Sequence, residues 1–191
     1  MSHERTWTIA NTISSSRIFL LAPLAYCLFS DFDNNRLWAA GIVATGALTD
    51  FVDGYLARRL HQVSDSGKII DPVADKVAVG ALAAFLVILG DIPVWYLGMV
   101  LARDVLIVAG GLFIRARKGI VVQSNWPGKI AVSLVALFLM LSILRMEELA
   151  SLLELTLWLS LGFMILSLVV YAQRLFIGKR MNEGESAWSE H

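Results

Sequence analysis

Apolar residues in this chain come in blocks of about twenty, the length that crosses a bilayer as a helix, and that spacing constrains the fold more than any other feature. Blocks lie near 11–29, 36–59, 70–90, 92–114, 127–145 and 150–174, parted by short polar breaks. No alternation of period two competes with them. Charged residues make up 17% of the 191, below the share of about 25% usual in soluble domains. The expected fold class is therefore all-α, a polytopic membrane helical bundle of six transmembrane helices. It forms one domain over 1–176, with a polar tail at 177–191 expected to lack structure. The first block is expected to be a retained span rather than a cleaved signal.

An even number of spans puts both ends of the chain on one side, and basic residues decide which side. Twelve lie on the terminal side: Arg5, Arg17, Arg58, Arg59, Lys68, Arg115, Arg117, Lys118, Lys129, Arg174, Lys179 and Arg180. Only Arg36 and Arg145 lie on the other, while Lys76 and Arg103 fall inside spans. The expectation is a multi-pass protein of the cytoplasmic (inner) membrane with both termini inside. Trp7, Trp38, Trp95 and Trp126 fall near span ends, where aromatic side chains anchor to the interface. Sixteen acidic residues balance sixteen basic ones, which argues against a nucleic-acid partner. Cys27 is the one cysteine, so neither a disulfide framework nor a thiolate metal site is available. His3, His61 and His191 are scattered and read as surface residues.

Charged side chains inside spans are costly and mark function by default. Asp50 and Asp53 sit in the second block, Asp71 and Asp75 at the start of the third. Their i,i+3 and i,i+4 spacings put each pair on one helical face. A short loop makes the two helices antiparallel neighbours, so the pairs meet at similar depth and line a polar cavity open to the cytoplasm. Four carboxylates this close need a counter-charge. Lys76 and Arg58 supply part; a divalent cation supplies more, and Mg2+ or Mn2+ suits all-oxygen ligands and phosphate. Gly54 and Ala57 leave room beside Asp53 for a bulky ligand. Arg58 offers a fork suited to phosphate. Gly67 permits an unusual loop angle, and Pro72 is expected in the first turn of the third helix.

Asp50-x-x-Asp53-Gly54-x-x-Ala57-Arg58, then eight residues, then Gly67-x-x-x-Asp71-x-x-x-Asp75 resembles the complete motif of the CDP-alcohol phosphatidyltransferases. All eight defining positions are present at the family's spacing, and the resemblance covers most of the chain. It implies transfer of a phosphatidyl group from CDP-diacylglycerol to a small alcohol acceptor. Asp50, Asp53, Asp71 and Asp75 would hold two Mg2+ (or Mn2+) ions, and Asp75 would also be the catalytic base. Gly54, Ala57, Arg58 and Gly67 would shape the nucleotide site, and Ser64 would touch the nucleotide phosphates. The run from Asn11 to Arg17 resembles the Asn-x-x-Thr-x-x-Arg opening of bacterial phosphatidylglycerolphosphate synthases, with serine in place of threonine. It puts Asn11 near the nucleotide.

The acceptor is less legible. Gly128-Lys129 resembles a recurring pair in members that use phosphorylated acceptors, although Ala131 and Val132 follow it where those members have threonine. Arg115 and Arg117, with Lys118, would add positive charge for an acceptor phosphate; positive-inside topology explains these three equally well. Arg103-Asp104 is expected to be a structural ion pair. The stretches 102–105 and 70–76 resemble both phosphatidylglycerolphosphate and cardiolipin synthases. The favoured acceptor is sn-glycerol 3-phosphate, with phosphatidylglycerol next and inositol phosphate or serine after it. A homodimer is expected from the family. An ion-coupled transporter ranks below the enzyme, because its acidic residues would sit near the midplane with broken helices in both halves. A purely structural role for the aspartates leaves at least two unpaired.

Overall fold

The computed structural model describes the backbone of residues 9–59, 67–118 and 126–188, and the side chains of 19–49, 76–111 and 126–173. Among these residues the protein is all-helical: α1 (Ile9–Phe29), α2 (Asn35–Arg59), α3 (Gly67–Ile88), α4 (Val94–Lys118), α5 (Trp126–Leu144) and α6 (Ala150–Trp188), with a 3-10 turn at Glu147–Leu149. Every apolar block is thus a helix, which satisfies its own backbone polar groups where no water is at hand. Three stretches are long and apolar enough to cross a membrane: Val94–Gly111, Trp126–Leu144 and Glu147–Gln173. Over their described parts, α1 and α3 contribute shorter apolar runs, Phe19–Phe29 and Lys76–Ile88.

Two boundaries differ from expectation. Helix α6 continues to Trp188, through the tail expected to lack structure. The polar residues that end a membrane span need not end a helix; Arg174–Trp188 holds no proline to break one, and the helix runs on through Gly178 and Gly184. Helix α3 opens at Gly67 rather than near 70. Gly67 is therefore its first helical residue and not a loop hinge. Pro72 falls in the second turn, where it removes one backbone hydrogen bond.

The chain groups into two compact units, residues 1–97 with 139–147, and residues 98–138 with 148–191. In the first, α1 packs against both α2 and α3. The buried contacts come from Leu24, Cys27 and Leu28 of α1, Ala39 and Ala40 of α2, and Leu82, Ala83 and Leu86 of α3. Small residues let the backbones approach, as helix pairs in lipid require. Between α3 and α4, the Gly90 amide donates to Val87 O (3.0 Å) and the Asp91 amide to Leu86 O (2.9 Å). This Schellman cap needs a left-handed residue, which Gly90 supplies at φ 75°. Between α1 and α2, Asn34 takes the left-handed conformation at φ 60°, and the Asn35 side-chain amide donates to Ser30 O at 2.7 Å.

In the second unit the buried positions are Ala131, Val135 and Phe138 of α5 and Thr156, Ser160, Leu161, Met164 and Ser167 of α6. Thr156 and Ser160 donate to Leu153 O and Leu157 O, so their hydroxyls are satisfied within the helix. Helices α4 and α6 come close at Gly110-Gly111. A Cβ built on Gly110 would lie 2.8 Å from Tyr171 Cε1, and one on Gly111 would lie 3.1 Å from Tyr171 Oη. Gly110→Val is expected to cost about 1–3 kcal/mol by overpacking. A lower thermal midpoint in detergent, regained on a Tyr171→Ala background, is the check; an unchanged midpoint in the single variant would refute the close packing.

Candidate active site

The four motif aspartates lie on regular helix, Asp50 and Asp53 in α2 and Asp71 and Asp75 in α3. Their side chains, and those of Asn11, Gly54, Ala57, Arg58, Gly67, Arg115 and Arg117, are outside the described set, and Ser64 lies outside the described residues altogether. Backbone register nonetheless locates them. At 100° per residue, Gly46, Asp50, Asp53 and Ala57 fall on one narrow stripe of α2. Gly46 faces α1, since a Cβ there would sit 3.5 Å from Leu20 Cδ1. On α3, Asp71 and Asp75 share a stripe with Leu82 and Leu86, both buried. By backbone register, each pair thus falls in line with a packed position further along its helix.

Helix α1 serves as a common ruler for depth. It runs antiparallel to α2, across the short turn at 30–34, with Leu20 level with Gly46. It runs parallel to α3, with Phe29 against Phe85 edge to face at a centroid distance of 5.7 Å. Counting back from these contacts places Asp50 level with Ser16, Asp53 with Ile13, Asp71 with Ser15 and Asp75 with Phe19. That is a spread of about 9 Å along the axis at 1.5 Å per residue. The sequence expectation that the pairs meet at similar depth thus rests on α1, which lies against both helices. The same count puts Arg17 at the level of the quartet, a cation counted from sequence only toward topology and the opening motif.

Among the described side chains no group of three His, Cys, Asp or Glu could hold a metal; the donor set in question is the motif quartet. All-oxygen carboxylate donors are what hard divalent ions prefer, so the chemistry of the quartet fits that group.

In the second unit, Lys129 lies in the first turn of α5 with its ammonium 5.5 Å from the Trp126 ring centroid. Arg103 reaches the same turn: its Nη2 donates to Gly128 O at 3.3 Å and its Nη1 to Asp104 Oδ1 at 2.7 Å. The structural pair expected from sequence is present, with a link to α5 that sequence did not suggest. Arg115 and Arg117 stand 12 and 14 residues further along α4, roughly 18–21 Å at 1.5 Å per residue. Register thus sets them apart from Lys129.

A model of the CDP-alcohol phosphatidyltransferase family matches residues 7–170. The chain belongs to that family. Among its relatives, rat cardiolipin synthase (CMP-forming) is 38% identical over 117 residues, covering 61% of this chain and 38% of the rat protein. The CDP-diacylglycerol–glycerol-3-phosphate 3-phosphatidyltransferase of Bacillus subtilis is 33% identical over 136 residues, covering 65% and 70%. A probable phosphatidylglycerophosphate synthase of Mycobacterium tuberculosis is 31% identical over 129 residues, covering 66% and 61%. The chain thus spans about two fifths of the length of the rat relative. The family match takes in all of α1 to α5, most of the apolar part of α6 and every motif position, so the quartet and its α1 ruler lie inside the shared domain.

Sequence reasoning missed a second charged cluster, at the opposite end of the first unit from the quartet. Asp91 accepts from Arg36 Nη1, and its other oxygen lies 3.4 Å from Arg145 Nε. The two basic residues assigned from sequence to the far side are therefore both partnered by one carboxylate. The available signal was the lone acidic residue in the Gly90-Asp91 break.

Proposed function

We propose that this protein transfers the phosphatidyl group of CDP-diacylglycerol to sn-glycerol 3-phosphate and releases CMP. The observation that carries this reading is the complete motif set on two helices that both pack against α1. Asp50, Asp53, Asp71 and Asp75 would hold two Mg2+ or Mn2+ ions, which when bound neutralise the pyrophosphate and the departing nucleotide. Asp75 takes the proton of the acceptor hydroxyl. That oxygen attacks the lipid-side phosphorus, the bond from this phosphorus to the CMP oxygen breaks, and CMP leaves with the electron pair. Gly54, Ala57, Gly67 and Asn11 shape the nucleotide site, while Arg58 and Ser64 contact its phosphates. Lys129 meets the acceptor phosphate.

Six spans, a cytoplasmic membrane, cytoplasmic termini and a homodimer complete the proposal. The excess of basic residues at the motif end supports the orientation. Charge separation also supports the enzyme over an ion-coupled transporter, because the acidic quartet lies toward one end of its helices. Phosphatidylglycerol as acceptor, giving cardiolipin, is the second reading, favoured by the higher identity to the rat cardiolipin synthase. The greater share of the Bacillus subtilis relative that is covered supports glycerol 3-phosphate.

The test is CMP release by purified protein given CDP-diacylglycerol and Mg2+ with glycerol 3-phosphate, phosphatidylglycerol, inositol phosphate or serine in turn. Release with glycerol 3-phosphate, lost on chelation and restored by Mg2+, is expected. Release with phosphatidylglycerol alone moves the assignment to the second reading. No release with any of the four overturns the proposal.

A further inference from the structure

The charged cluster at the end of the first unit away from the motif joins the two helices that carry the motif aspartates. Arg36 is the second residue of α2, and its guanidinium donates to the buried Asp91 carboxylate just beyond α3. Both partners are fixed to their helices. The Arg36 amide donates to Asn35 Oδ1 at 2.7 Å, and the Asn35 side-chain amide donates to Ser30 O at 2.7 Å. On the other side the Asp91 amide donates to Leu86 O at 2.9 Å and the Ile92 amide to the same oxygen at 3.4 Å. The bridge therefore runs from the start of one helix to the cap of another.

The arms from this bridge to the aspartates match in length. Arg36 stands 14 and 17 residues before Asp50 and Asp53 on α2; Ile88, the last residue of α3, stands 13 and 17 residues after Asp75 and Asp71. At 1.5 Å per residue each arm is roughly 20–26 Å of continuous helix, a rod that passes an axial shift from one end to the other. Among the described residues, packing runs from α1 to α2 and from α1 to α3. Between apolar helices in lipid such packing is largely van der Waals contact, which separates one axial position from the next less sharply than a charged bond does. We infer that Arg36 and Asp91 are positioning residues for the metal centre: their bridge fixes the axial register of α2 against α3, and with it that of Asp50 and Asp53 against Asp71 and Asp75. This rests on the function proposed above. Neither residue touches metal or substrate. The need for such a lock comes from the ion: Mg2+ demands near-ideal octahedral geometry, and a slip of one residue moves a ligand by about 1.5 Å.

The experiment is a Mn2+ titration of the full chain in detergent, read by electron paramagnetic resonance with CDP-diacylglycerol present and no acceptor, so that no turnover occurs. Arg36→Gln and Asp91→Asn are each expected to weaken Mn2+ binding about tenfold, the low end of what groups behind the ligands contribute to metal affinity. The Mg2+ concentration for half-maximal CMP release should rise in step, while at saturating Mg2+ both KM values stay as in wild type. Arg36→Lys, which can keep a bond to Asp91, should fall between. The double variant Arg36→Gln/Asp91→Asn should be no worse than the more damaged single variant, because the two residues act through one bond. Two controls separate register from stability. Arg145→Gly removes the other partner of Asp91 from a position on neither metal-bearing helix, and Gly110→Val loosens the second unit. Both should bind Mn2+ as wild type does.

Unchanged Mn2+ affinity in Arg36→Gln and Asp91→Asn would overturn the inference. So would equal weakening in either control, which would mark a general loss of stability rather than a lost register. If Arg36→Gln does not fold, Arg36→Lys and Asp91→Asn carry the test through the same titration. Wild-type protein that binds no Mn2+ would sink the parent reading of the metal centre as well; wild type that binds it, with bridge variants that bind it equally, would sink this inference alone.

Discussion

Asp75→Asn is expected to abolish CMP release, lowering kcat by at least roughly 10³-fold, within the range that a positioned acid or base contributes. Asparagine keeps the size and one oxygen donor of aspartate but cannot take the acceptor's proton. Asp75 sits eight residues into α3 and on the stripe of Leu82 and Leu86, so the change alters chemistry without moving the helix. Affinity for CDP-diacylglycerol, measured by equilibrium binding with Mg2+, should stay within a few-fold. Asp50→Asn and Asp71→Asn should behave differently, weakening Mg2+-dependent binding of the CDP-lipid along with turnover, because each removes a charge that offsets the cation. Near-normal turnover in Asp75→Asn would show that the base lies elsewhere. Loss of CDP-lipid binding in that variant, to the same degree as in Asp50→Asn, would reduce Asp75 to a ligand.

The second large effect is on stability and lies far from the chemistry. Asp91→Ala is expected to lower the thermal midpoint in detergent by roughly 5–10 °C while leaving both KM values unchanged, for a loss of about 2–3 kcal/mol. The Asp91 carboxylate is 1% exposed, Arg36 19% and Arg145 66%. Removing one partner of a buried pair leaves an uncompensated charge; here Arg145 can turn to water but Arg36 is less free, which puts the cost below the full range. The carboxylate also joins three connections: the start of α2, the α3–α4 turn and the end of α5. Arg145 holds a left-handed backbone at φ 51°, a conformation that costs a non-glycine residue about 1 kcal/mol and that its ion pair offsets. Arg145→Gly should therefore lose less stability than Arg36→Ala, since glycine relieves the backbone cost. Circular-dichroism melts of the three variants test this ordering. An Asp91→Ala midpoint within 2 °C of wild type would mean the cluster is surface decoration.

Much of the protein was legible in its residues taken in order. The lengths of the apolar blocks determined the helices to within a few residues at most boundaries, because a span must satisfy its own backbone and be long enough to cross. The i,i+3 and i,i+4 spacings determined that Asp50 pairs with Asp53, and Asp71 with Asp75, because helical register is a local property. The eight motif positions determined the family before any helix was placed.

What only the tertiary structure decided is which helices are neighbours. Residues facing lipid and residues facing another helix are both apolar, so sequence periodicity is nearly silent about the packed face. Hence α1 as the element against both α2 and α3, and Arg17 at the level of the aspartates, could not be read from the chain. Ion pairs across long separations are hidden for the same reason. Asp91 meets Arg36 and Arg145, and Arg103 meets Gly128, only once the folded helices bring residues 25 to 55 positions apart within a side chain's reach. Sequence determined the chemistry these residues can do; packing decided which of them do it together.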